Sequence, residues 1–217
     1  MNKIKDINEA VDYIKDGMTV MIGGFMAVGT PEILIDAILE KGIKDLTIIA
    51  NDTGFIDKGI GKLIINKRVK KVIASHIGLN PETGRQMNSK ELIVDLVPQG
   101  TLAEQIRCGG AGIGGFLTET GIGTIVEEGK QKIKLGDKEY LLELPLKADV
   151  AIIRGSVVDK DGNVFYNGST RNFNPLIATA ADLVIVGAEK IVEVGELNPN
   201  NIMTPGIFVD YIVGGEK

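Results

Sequence analysis

The stretch Asp16-Gly-Met-Thr-Val-Met-Ile-Gly-Gly-Phe-Met-Ala-Val-Gly-Thr-Pro31 decides the fold class of this 217-residue chain. Its apolar and partly β-branched run at 19–22 is typical of a buried strand. Gly23 and Gly24 follow this run, and two glycines in series permit backbone angles that residues with a Cβ avoid. The stretch therefore predicts a strand that ends in a glycine loop.

The residues at the end of the stretch predict a helix. Thr30 is a good N-cap, Pro31 suits the first helical position, and Glu32 suits the positive end of a helix dipole. Such a loop brings backbone N–H groups to the mouth of a sheet, where a carboxylate or a phosphate can be held. The alternative is that the glycines only turn the chain. The glycine spacing matches neither the dinucleotide fingerprint nor a P-loop.

Composition narrows the class of protein. Hydrophobic residues make up 44% of the chain and charged residues 24%, which is typical of soluble globular proteins. The formal net charge of −5 disfavours a nucleic-acid partner. Cys108 is the only cysteine, which excludes an internal disulfide and suits a reducing compartment. Because the sequence has neither a signal-peptide pattern nor an apolar run of about 20 residues, we expect a cytoplasmic protein without membrane association.

Short apolar runs alternate with helical stripes through the first half of the chain. Such alternation is typical of βαβ units and a parallel sheet. We therefore expect an α/β fold, with one domain spanning residues 1–217, a mainly parallel sheet and helices on both faces. The predicted strands are 19–22, 46–50, 72–75 and 92–97, and the predicted helices are 7–14, 31–40 and 101–107.

The second half adds a glycine-rich loop over 109–123 and a hairpin around Gly136-Asp137. We expect a small antiparallel excursion around 130–167. Further predicted elements are strands at 148–153 and 183–187, a helix over 174–181 and a last strand over 207–213 at a sheet edge. No internal repeat or long linker is predicted.

In open α/β sheets, ligands lie beyond the carboxyl ends of the strands. Gln99 stands where a strand ends and a helix begins, beside Gly100, and its amide is suited to stabilise an oxyanion in such a cleft. The alternative is a glutamine that only caps local backbone. Asn51-Asp52 and His76 also follow predicted strands, and a structural role is the commoner one for such a histidine.

Other chemistry finds little support in the sequence. Glu104 and Arg107 have the spacing of an exposed ion pair on a helix. We expect Cys108 to be a buried small hydrophobe rather than a nucleophile. No H-x-x-x-H, C-x-x-C or EF-hand spacing predicts a metal site, and no G-x-S-x-G elbow predicts a serine triad.

Ten positions of the opening stretch match a known signature. The order Asp-Gly, two residues, three apolar residues, Gly-Gly-Phe, three residues and Gly-x-Pro resembles the N-terminus of family I CoA-transferases, the 3-oxoacid, acetate and butyrate–acetoacetate type. The resemblance covers essentially the whole chain and fits the α (A) subunit of two-subunit enzymes. It continues at Pro98-Gln-Gly-Thr-Leu-Ala-Glu104, Arg107-Cys-Gly-Gly-Ala-Gly112, Thr170-Arg-Asn-Phe-Asn174 and Met203-Thr-Pro-Gly206.

The resemblance implies the CoA-transferase (isomerase-like) fold and a set of site residues. Gln99 is expected to stabilise the oxyanion at the reacting acyl group. Coenzyme A is expected as a substrate, with no permanently bound cofactor and no metal. The residues expected to bind the substrate and CoA are Gly23, Gly24, Phe25, Met26, Ala27, Val28, Gly29, Thr30, Gly100, Gly109 and Gly110.

The nucleophile of the family is missing from this chain. Family I enzymes carry a catalytic glutamate in a Ser-Glu-Asn-Gly type motif of the β subunit or C-terminal half, and neither Glu119 nor Glu189 lies in such a motif here. The resemblance therefore implies half an enzyme, which a β subunit completes in an α₂β₂ or α₄β₄ assembly.

The implied reaction moves CoA between a short-chain acyl-CoA (acetyl-, butyryl- or acetoacetyl-CoA) and a free carboxylate such as acetate, butyrate or acetoacetate. It is a ping-pong reaction through a glutamyl-CoA thioester on the partner subunit. Two alternatives stay open. A sugar-phosphate isomerase or lactonase of similar fold would need its own acid/base pair. A metabolite-sensing effector module would bind without turnover, normally beside a DNA-reading domain.

Overall fold

A computed structural model describes residues 2–215. The strands are β1 (Thr19–Ile22), β2 (Leu46–Asp52), β3 (Val69–His76), β4 (Ile93–Leu96), β5 (Phe116–Thr118), β6 (Lys132–Leu135), β7 (Lys138–Glu143), β8 (Ala148–Asp159), β9 (Val164–Phe165), β10 (Ala181–Val192) and β11 (Tyr211–Gly214). The helices are α1 (Ile7–Val11), α2 (Glu32–Glu40), α3 (Ile60–Ile65), α4 (Pro81–Asn88), α5 (Gln99–Ala111) and α6 (Asn174–Ile177). None of these helices is long and apolar enough to cross a membrane.

The main sheet has eight strands, seven of them in the order β11-β10-β8-β1-β2-β3-β4. Each of these seven pairs in parallel with its neighbours, and β9 adds an antiparallel strand beside β8. The prediction of a mainly parallel sheet is confirmed. β11 lies at one edge, as expected for the last strand.

Two buried apolar clusters cover the two faces of the main sheet. Val20 of β1 belongs to the same cluster as Ile38 of α2 and Leu63 of α3. Met21, the next residue of β1, belongs to the other cluster, which includes Ile106 of α5. Because neighbouring residues of a strand point to opposite faces, this division places helices on both sides of the sheet, as predicted.

A smaller sheet of three antiparallel strands, in the order β5-β7-β6, stands apart from the main sheet. The predicted hairpin is the β6–β7 connection, where Gly136 has a φ of 60°. The antiparallel part begins earlier than expected, at Phe116 rather than near residue 130. Three residues of β5 pair with the far end of β7, and a run this short carries little local signal of its own.

Several predicted boundaries are wrong. α1 ends at Val11 instead of residue 14, and α6 ends at Ile177 instead of residue 181, where β10 already begins. The last strand starts at Tyr211, after a 3₁₀ turn over Gly206–Phe208. Beyond Val11 and Ile177 the chain continues in tighter i→i+3 turns, such as the hydrogen bond of 2.9 Å from the N–H of Ile14 to the carbonyl of Val11, which the apolar periodicity does not distinguish from α-helix.

Candidate active site

The chain order of the main sheet reverses at β1. From β1 the chain adds β2, β3 and β4 on one side, whereas β8, β10 and β11 lie on the other. In open α/β sheets, ligands bind beyond the carboxyl ends of the strands at such a reversal. The loop that follows β1 therefore stands at the position where this architecture forms a cleft.

The loop over Gly24–Gly29 folds back on itself as a tight turn. Phe25 and Val28 exchange two backbone hydrogen bonds, of 3.0 and 2.9 Å. Met26 and Ala27, at the tip, have φ values of 51° and 61°. Two left-handed residues in series are typical of a type I′ turn, which usually uses glycine or asparagine. Because neither residue is glycine or asparagine, this conformation costs about 1–2 kcal/mol per residue and needs other contacts to hold it.

Two asparagines hold the base of this loop: Asn172 lies two residues before α6, and Asn174 is the first residue of that helix. The Oδ1 atom of Asn172 accepts a hydrogen bond of 3.0 Å from the N–H of Gly24, and its Nδ2 donates one of 2.8 Å to the carbonyl of Val28. The Nδ2 atom of Asn174 donates to the carbonyl of Gly29 at 2.9 Å. The family-like segments at 23–31 and 170–174 are therefore one structural unit.

The loop is not an open cradle of backbone amides. The N–H groups of Gly24, Phe25, Met26 and Val28 all donate to acceptors within the protein. The prediction that this loop offers free N–H groups to a carboxylate or phosphate is therefore wrong at these four positions. The structural reason is that these donors already have acceptors. The N–H of Gly24 is bonded to Asn172, that of Met26 to Asp52 at the end of β2, and those of Phe25 and Val28 to each other's carbonyl groups.

The predicted start of α2 is also wrong. Pro31 occupies the cap position, no side chain caps the helix, and the first helical residue is Glu32. Thr30 does not cap the helix, and its hydroxyl lies over Gly24, where a Cβ would come within 2.0 Å of Oγ1. Thr30 is buried, and it packs the loop against the helix.

What the loop presents is apolar. The side chains of Phe25, Met26 and Val28 are 40, 40 and 44% exposed, a large exposure for such residues. Together with Ser169 and Asn172 they line a cavity of about 490 Å³. An apolar wall with a few polar groups is the usual make-up of a small-molecule pocket.

Close packing explains the glycine at position 23. A Cβ there would lie 1.8 Å from Oδ1 of Asn174. The same Oδ1 accepts the N–H of Arg154 on β8, at 3.1 Å. The N–H of Gly23 donates to the carbonyl of Ile152, also on β8, at 3.1 Å. Gly23 therefore allows β1, β8 and residues 172–174 to pack against one another at the carboxyl edge of the sheet.

Gln99 is the first residue of α5, and its side chain extends from the end of β4 past β3 to β2. Its Nε2 donates to Oδ1 of Asn51 on β2, at 2.9 Å. Ser75 of β3 donates to the carbonyl and to Oδ1 of the same asparagine, at 2.7 and 3.0 Å. Asn51 is buried, whereas Gln99 is exposed. The amide of Gln99 is thus held above β2, next to β1, and Gly100 beside it faces open space.

Gly109 and Gly110 do not lie in a loop, as the sequence had predicted, but in the last turns of α5. A Cβ on Gly109 would be 1.9 Å from the carbonyl oxygen of Leu146, and one on Gly110 would be 2.2 Å from Oγ1 of Thr179. These glycines let the helix pack closely against neighbouring backbone. The structure does not bring them together with Gln99.

Two other candidates from the sequence take no part in the hydrogen bonds among Gln99, Asn51 and Ser75. His76 is exposed at the end of β3, where it stands beside Asp52 of β2. Cys108 is free and fully buried, which agrees with the expected role of a small core residue. Within residues 2–215, no group of three or more His, Cys, Asp or Glu side chains could hold a metal ion.

The glutamates considered in the sequence are engaged in ion pairs. Glu104 pairs with Arg107 at 2.8 Å on the surface of α5, as predicted. Glu119 pairs with Lys138 in the small sheet, and this hydrogen bond lowers the pKa of the Glu119 carboxyl. Glu189 pairs with an arginine of β8.

Sequence reasoning missed two parts of the site. It did not assign roles to Asn172 and Asn174, whose partners lie far away along the chain. It also passed over a six-residue pattern, Gly-Phe-x-x-x-Gly, that occurs at Gly24–Gly29 and again at Gly54–Gly59. The second copy follows β2 just as the first follows β1, and a comparison of the two segments would have revealed it.

The coenzyme A transferase family matches residues 4–215. The chain is 60% identical over 215 residues to the acetate CoA-transferase subunit alpha of Escherichia coli K12, covering 99% of this chain and 98% of that protein. It is 56% identical over 212 residues to the acetoacetyl-CoA:acetate/butyrate CoA transferase alpha subunit of Clostridium acetobutylicum, covering 98% of this chain and 97% of that subunit.

Solved structures share the fold. An acyl-CoA transferase from Escherichia coli O157:H7, solved as a thioester complex with CoA, superposes with a TM-score of 0.86 and 25% identity. The match covers 98% of this chain and 47% of that one, so this chain spans about half its length. Glutaconate coenzyme A-transferase from Acidaminococcus fermentans gives a TM-score of 0.85 at 21% identity, over 97% of this chain and 75% of the other. The chain therefore belongs to the coenzyme A transferase family.

Proposed function

We propose that this chain is the α subunit of a heteromeric enzyme that moves CoA between a short-chain acyl-CoA and a free carboxylate. The observation that carries the proposal is the placement of the Gln99 amide above β2 by Asn51, next to the β1 loop at the chain reversal. The matched family and the names of the relatives support the same reaction. They leave the isomerase and effector-module alternatives without support.

Gln99 is proposed to stabilise the oxyanion of the reacting acyl group. A carboxamide has two N–H donors, and Asn51 takes one of them. The second stays available because Gln99 is exposed. A donor whose position is set before the reaction loses little freedom as charge develops on the acyl oxygen, which is why such donors lower the barrier.

The nucleophile is proposed to come from a partner β subunit. Near the strand ends of the described part of the chain, the buried carboxylate of Asp52 already accepts two backbone hydrogen bonds. Glu104, Glu119 and Glu189 are engaged in ion pairs. The subunit names of the relatives fit a heteromer, which we propose to be α₂β₂ or α₄β₄.

The proposed reaction runs in two halves. The partner glutamate attacks the acyl-CoA thioester, which gives an acyl–glutamyl anhydride and the CoA thiolate. The thiolate then attacks the glutamyl carbonyl, which releases the first carboxylate and leaves a glutamyl-CoA thioester. A second carboxylate reverses these steps and leaves as its CoA thioester. CoA is thus a substrate, and no resident cofactor is proposed.

The cavity beside the β1 loop is proposed to hold the acyl group. Its walls are the side chains of Phe25, Met26 and Val28, and none of the residues that line it is charged. β1 lies one strand from Asn51, a spacing of about 4.8 Å, so a short acyl chain can reach from the Gln99 amide to this wall. Gly100, beside Gln99, is proposed to lie against the CoA.

The test is CoA exchange between acetyl-CoA and butyrate or acetoacetate, followed with this chain alone and with its co-expressed partner. Native mass spectrometry follows the assembly. We expect the chain alone to be inactive and the heteromer to be active. Activity of the isolated chain would place the nucleophile within it, and an inactive heteromer would overturn the proposed reaction.

A further inference from the structure

Two loops with the same sequence pattern stand side by side at the carboxyl edge of the main sheet. Gly24–Gly29 follows β1 and leads into α2, and Gly54–Gly59 follows β2 and leads into α3. Both read Gly-Phe-x-x-x-Gly. In each, the phenylalanine pairs with the residue three positions later, Phe25 with Val28 and Phe55 with Lys58. The two loops therefore allow a direct comparison.

The loops differ at their tips. Met26 and Ala27 of the first loop have φ values of 51° and 61°. Ile56 and Asp57, at the matching positions, are not in the left-handed region. Because the flanking residues match, the sequence pattern alone does not explain why the first tip adopts the costlier conformation. A contact outside the pattern must favour it.

Asp52 supplies that contact. It is the last residue of β2 and only 5% exposed. Its Oδ2 accepts the N–H of Met26 at 2.6 Å, and its Oδ1 accepts the N–H of Gly54 at 2.7 Å. One carboxylate thus joins the tip of the first loop to the base of the second. Within residues 2–215, no lysine, arginine or histidine pairs with it at salt-bridge distance, so these backbone donors are its protein partners.

This arrangement requires a carboxylate. Both oxygens of Asp52 accept hydrogen bonds from backbone N–H groups. An asparagine has a single acceptor oxygen, and its NH₂ group would face the second N–H. The change Asp52→Asn is nearly isosteric, yet it must break either the bond to Met26 or the bond to Gly54.

We propose that Asp52 is a positioning residue that holds the Met26–Ala27 tip and thereby sets the size of the apolar cavity at the β1 loop. Asp52 acts through the backbone of Met26, whose side chain lines that cavity with Phe25 and Val28. The inference rests on the proposed function, because it takes the cavity to be the acyl pocket. Its consequence is that Asp52 controls which acyl chain lengths the enzyme accepts.

The first arm of the test measures the loop itself. In the co-expressed heteromer, hydrogen exchange of the segment 24–29 is compared between the wild type and Asp52→Asn. We expect exchange to become about tenfold faster in this segment, with the core strands β1 and β8 unchanged. The surface change Ala27→Val, which disfavours a left-handed tip without altering a buried residue, should have the same effect.

The second arm measures selectivity. We expect Asp52→Asn and Ala27→Val to lower the ratio of kcat/KM for butyryl-CoA over hexanoyl-CoA about tenfold. The change should arise from KM for the longer acyl-CoA, because both variants act on the loop and leave the bond between Gln99 and Asn51 in place. Adding Ala27→Gly to Asp52→Asn should restore much of the selectivity, because glycine adopts positive φ at little cost. Asp57→Asn, on the tip of the second loop, is the matched control and should change neither readout.

Unchanged exchange at 24–29 in both Asp52→Asn and Asp52→Ala, which removes both acceptor oxygens, would overturn the positioning role. Faster exchange with unchanged selectivity in an active heteromer would overturn the link to the acyl pocket. Absence of CoA transfer in the wild-type heteromer would instead refute the proposed function, and the exchange arm would still decide whether Asp52 holds the loop.

Discussion

The side-chain amide of Gln99 donates a hydrogen bond of 2.9 Å to Oδ1 of Asn51, a residue 48 positions earlier in the chain. Gln99 belongs to the helix that follows β4, and Asn51 lies near the end of β2. The bond therefore carries the amide back across β3 toward the centre of the sheet. It joins two residues that sequence reasoning treated separately and places a polar donor beside the β1 loop.

Replacing Gln99 tests its proposed role directly. We expect Gln99→Ala to lower kcat of the assembled heteromer about 10²–10³-fold, because an oxyanion donor is typically worth that factor. KM should change little, since the bond strengthens mainly in the transition state. Steady-state CoA exchange measures both constants. Gln131→Ala, at an exposed position, is the control. Full activity of Gln99→Ala would remove the oxyanion role.

Asn51 should affect catalysis indirectly, by holding the Gln99 amide in position. We expect Asn51→Ala to lower kcat about tenfold. The Gln99 amide would lose the hydrogen bond that fixes its position, but it could still adopt the productive orientation part of the time. The double variant with Gln99→Ala should be hardly worse than Gln99→Ala alone, since the two changes remove one function. Kinetics of the two single variants and the double variant test this coupling. Additive losses would show that Asn51 acts independently of Gln99.

Gly100 offers a test that separates stability from binding. A Cβ there meets nothing within 4 Å, and the residue lies in α5, so Gly100→Ala should stabilise the chain by up to about 1 kcal/mol. If CoA lies against this position, KM for acyl-CoA should rise all the same. Gly84→Ala in α4, where a Cβ also meets nothing, should raise Tm without any kinetic effect. Unchanged KM for Gly100→Ala would argue against CoA contact there.

Gly23→Ala should be harmful for a steric reason. The new Cβ would lie 1.8 Å from Oδ1 of Asn174, so the asparagine or β1 must shift. Overpacking of this kind costs about 1–3 kcal/mol. It should also disturb the contact of Asn174 with Gly29, and activity of the heteromer should fall. Denaturant unfolding and CoA exchange measure the two effects. A variant as stable as the wild type would contradict the packing described here.

A surface cluster of Glu82 and Arg85 on α4 with Glu91 just beyond the helix predicts a dependence of stability on pH. Hydrogen bonds from Arg85 lower the pKa values of Glu82 and Glu91 to about 2, from an ordinary value of 4.5. Because these values are depressed in the folded state, the contacts stabilise the fold above pH 4.5 and lose their effect as pH falls toward 2.

Arg85→Gln should therefore lower Tm at pH 7, and the difference from the wild type should narrow between pH 4.5 and 2. Thermal unfolding across this range measures it. Arg107→Gln removes a single exposed pair of the same spacing and should have a smaller effect at pH 7. A difference that does not vary with pH would show that Arg85 acts through packing alone.

The local hydrophobic patterns predicted the features that depend on residues close together in the chain, namely the strands, the helices and the type of sheet. The apolar run at Thr19–Ile22 is β1 with the predicted bounds, and the alternation of runs and stripes predicted a parallel sheet with helices on both faces. The place of Gln99, between a strand and a helix, was evident for the same reason. Periodicity reports which face of an element is buried, and buried faces are what build the sheet.

The sequence by itself thus determined the fold class and the family signature, and it pointed to the carboxyl edge of the sheet as the place of the proposed cleft. Only the tertiary structure decided that the N–H groups of the β1 loop are used by Asp52 and Asn172 rather than left for a ligand. It also decided that Gly109 continues α5 instead of opening a loop. The physical reason is distance along the chain: Gly24 and Asn172 are 148 residues apart, and a hydrogen bond between them exists only after the sheet has brought both to one edge.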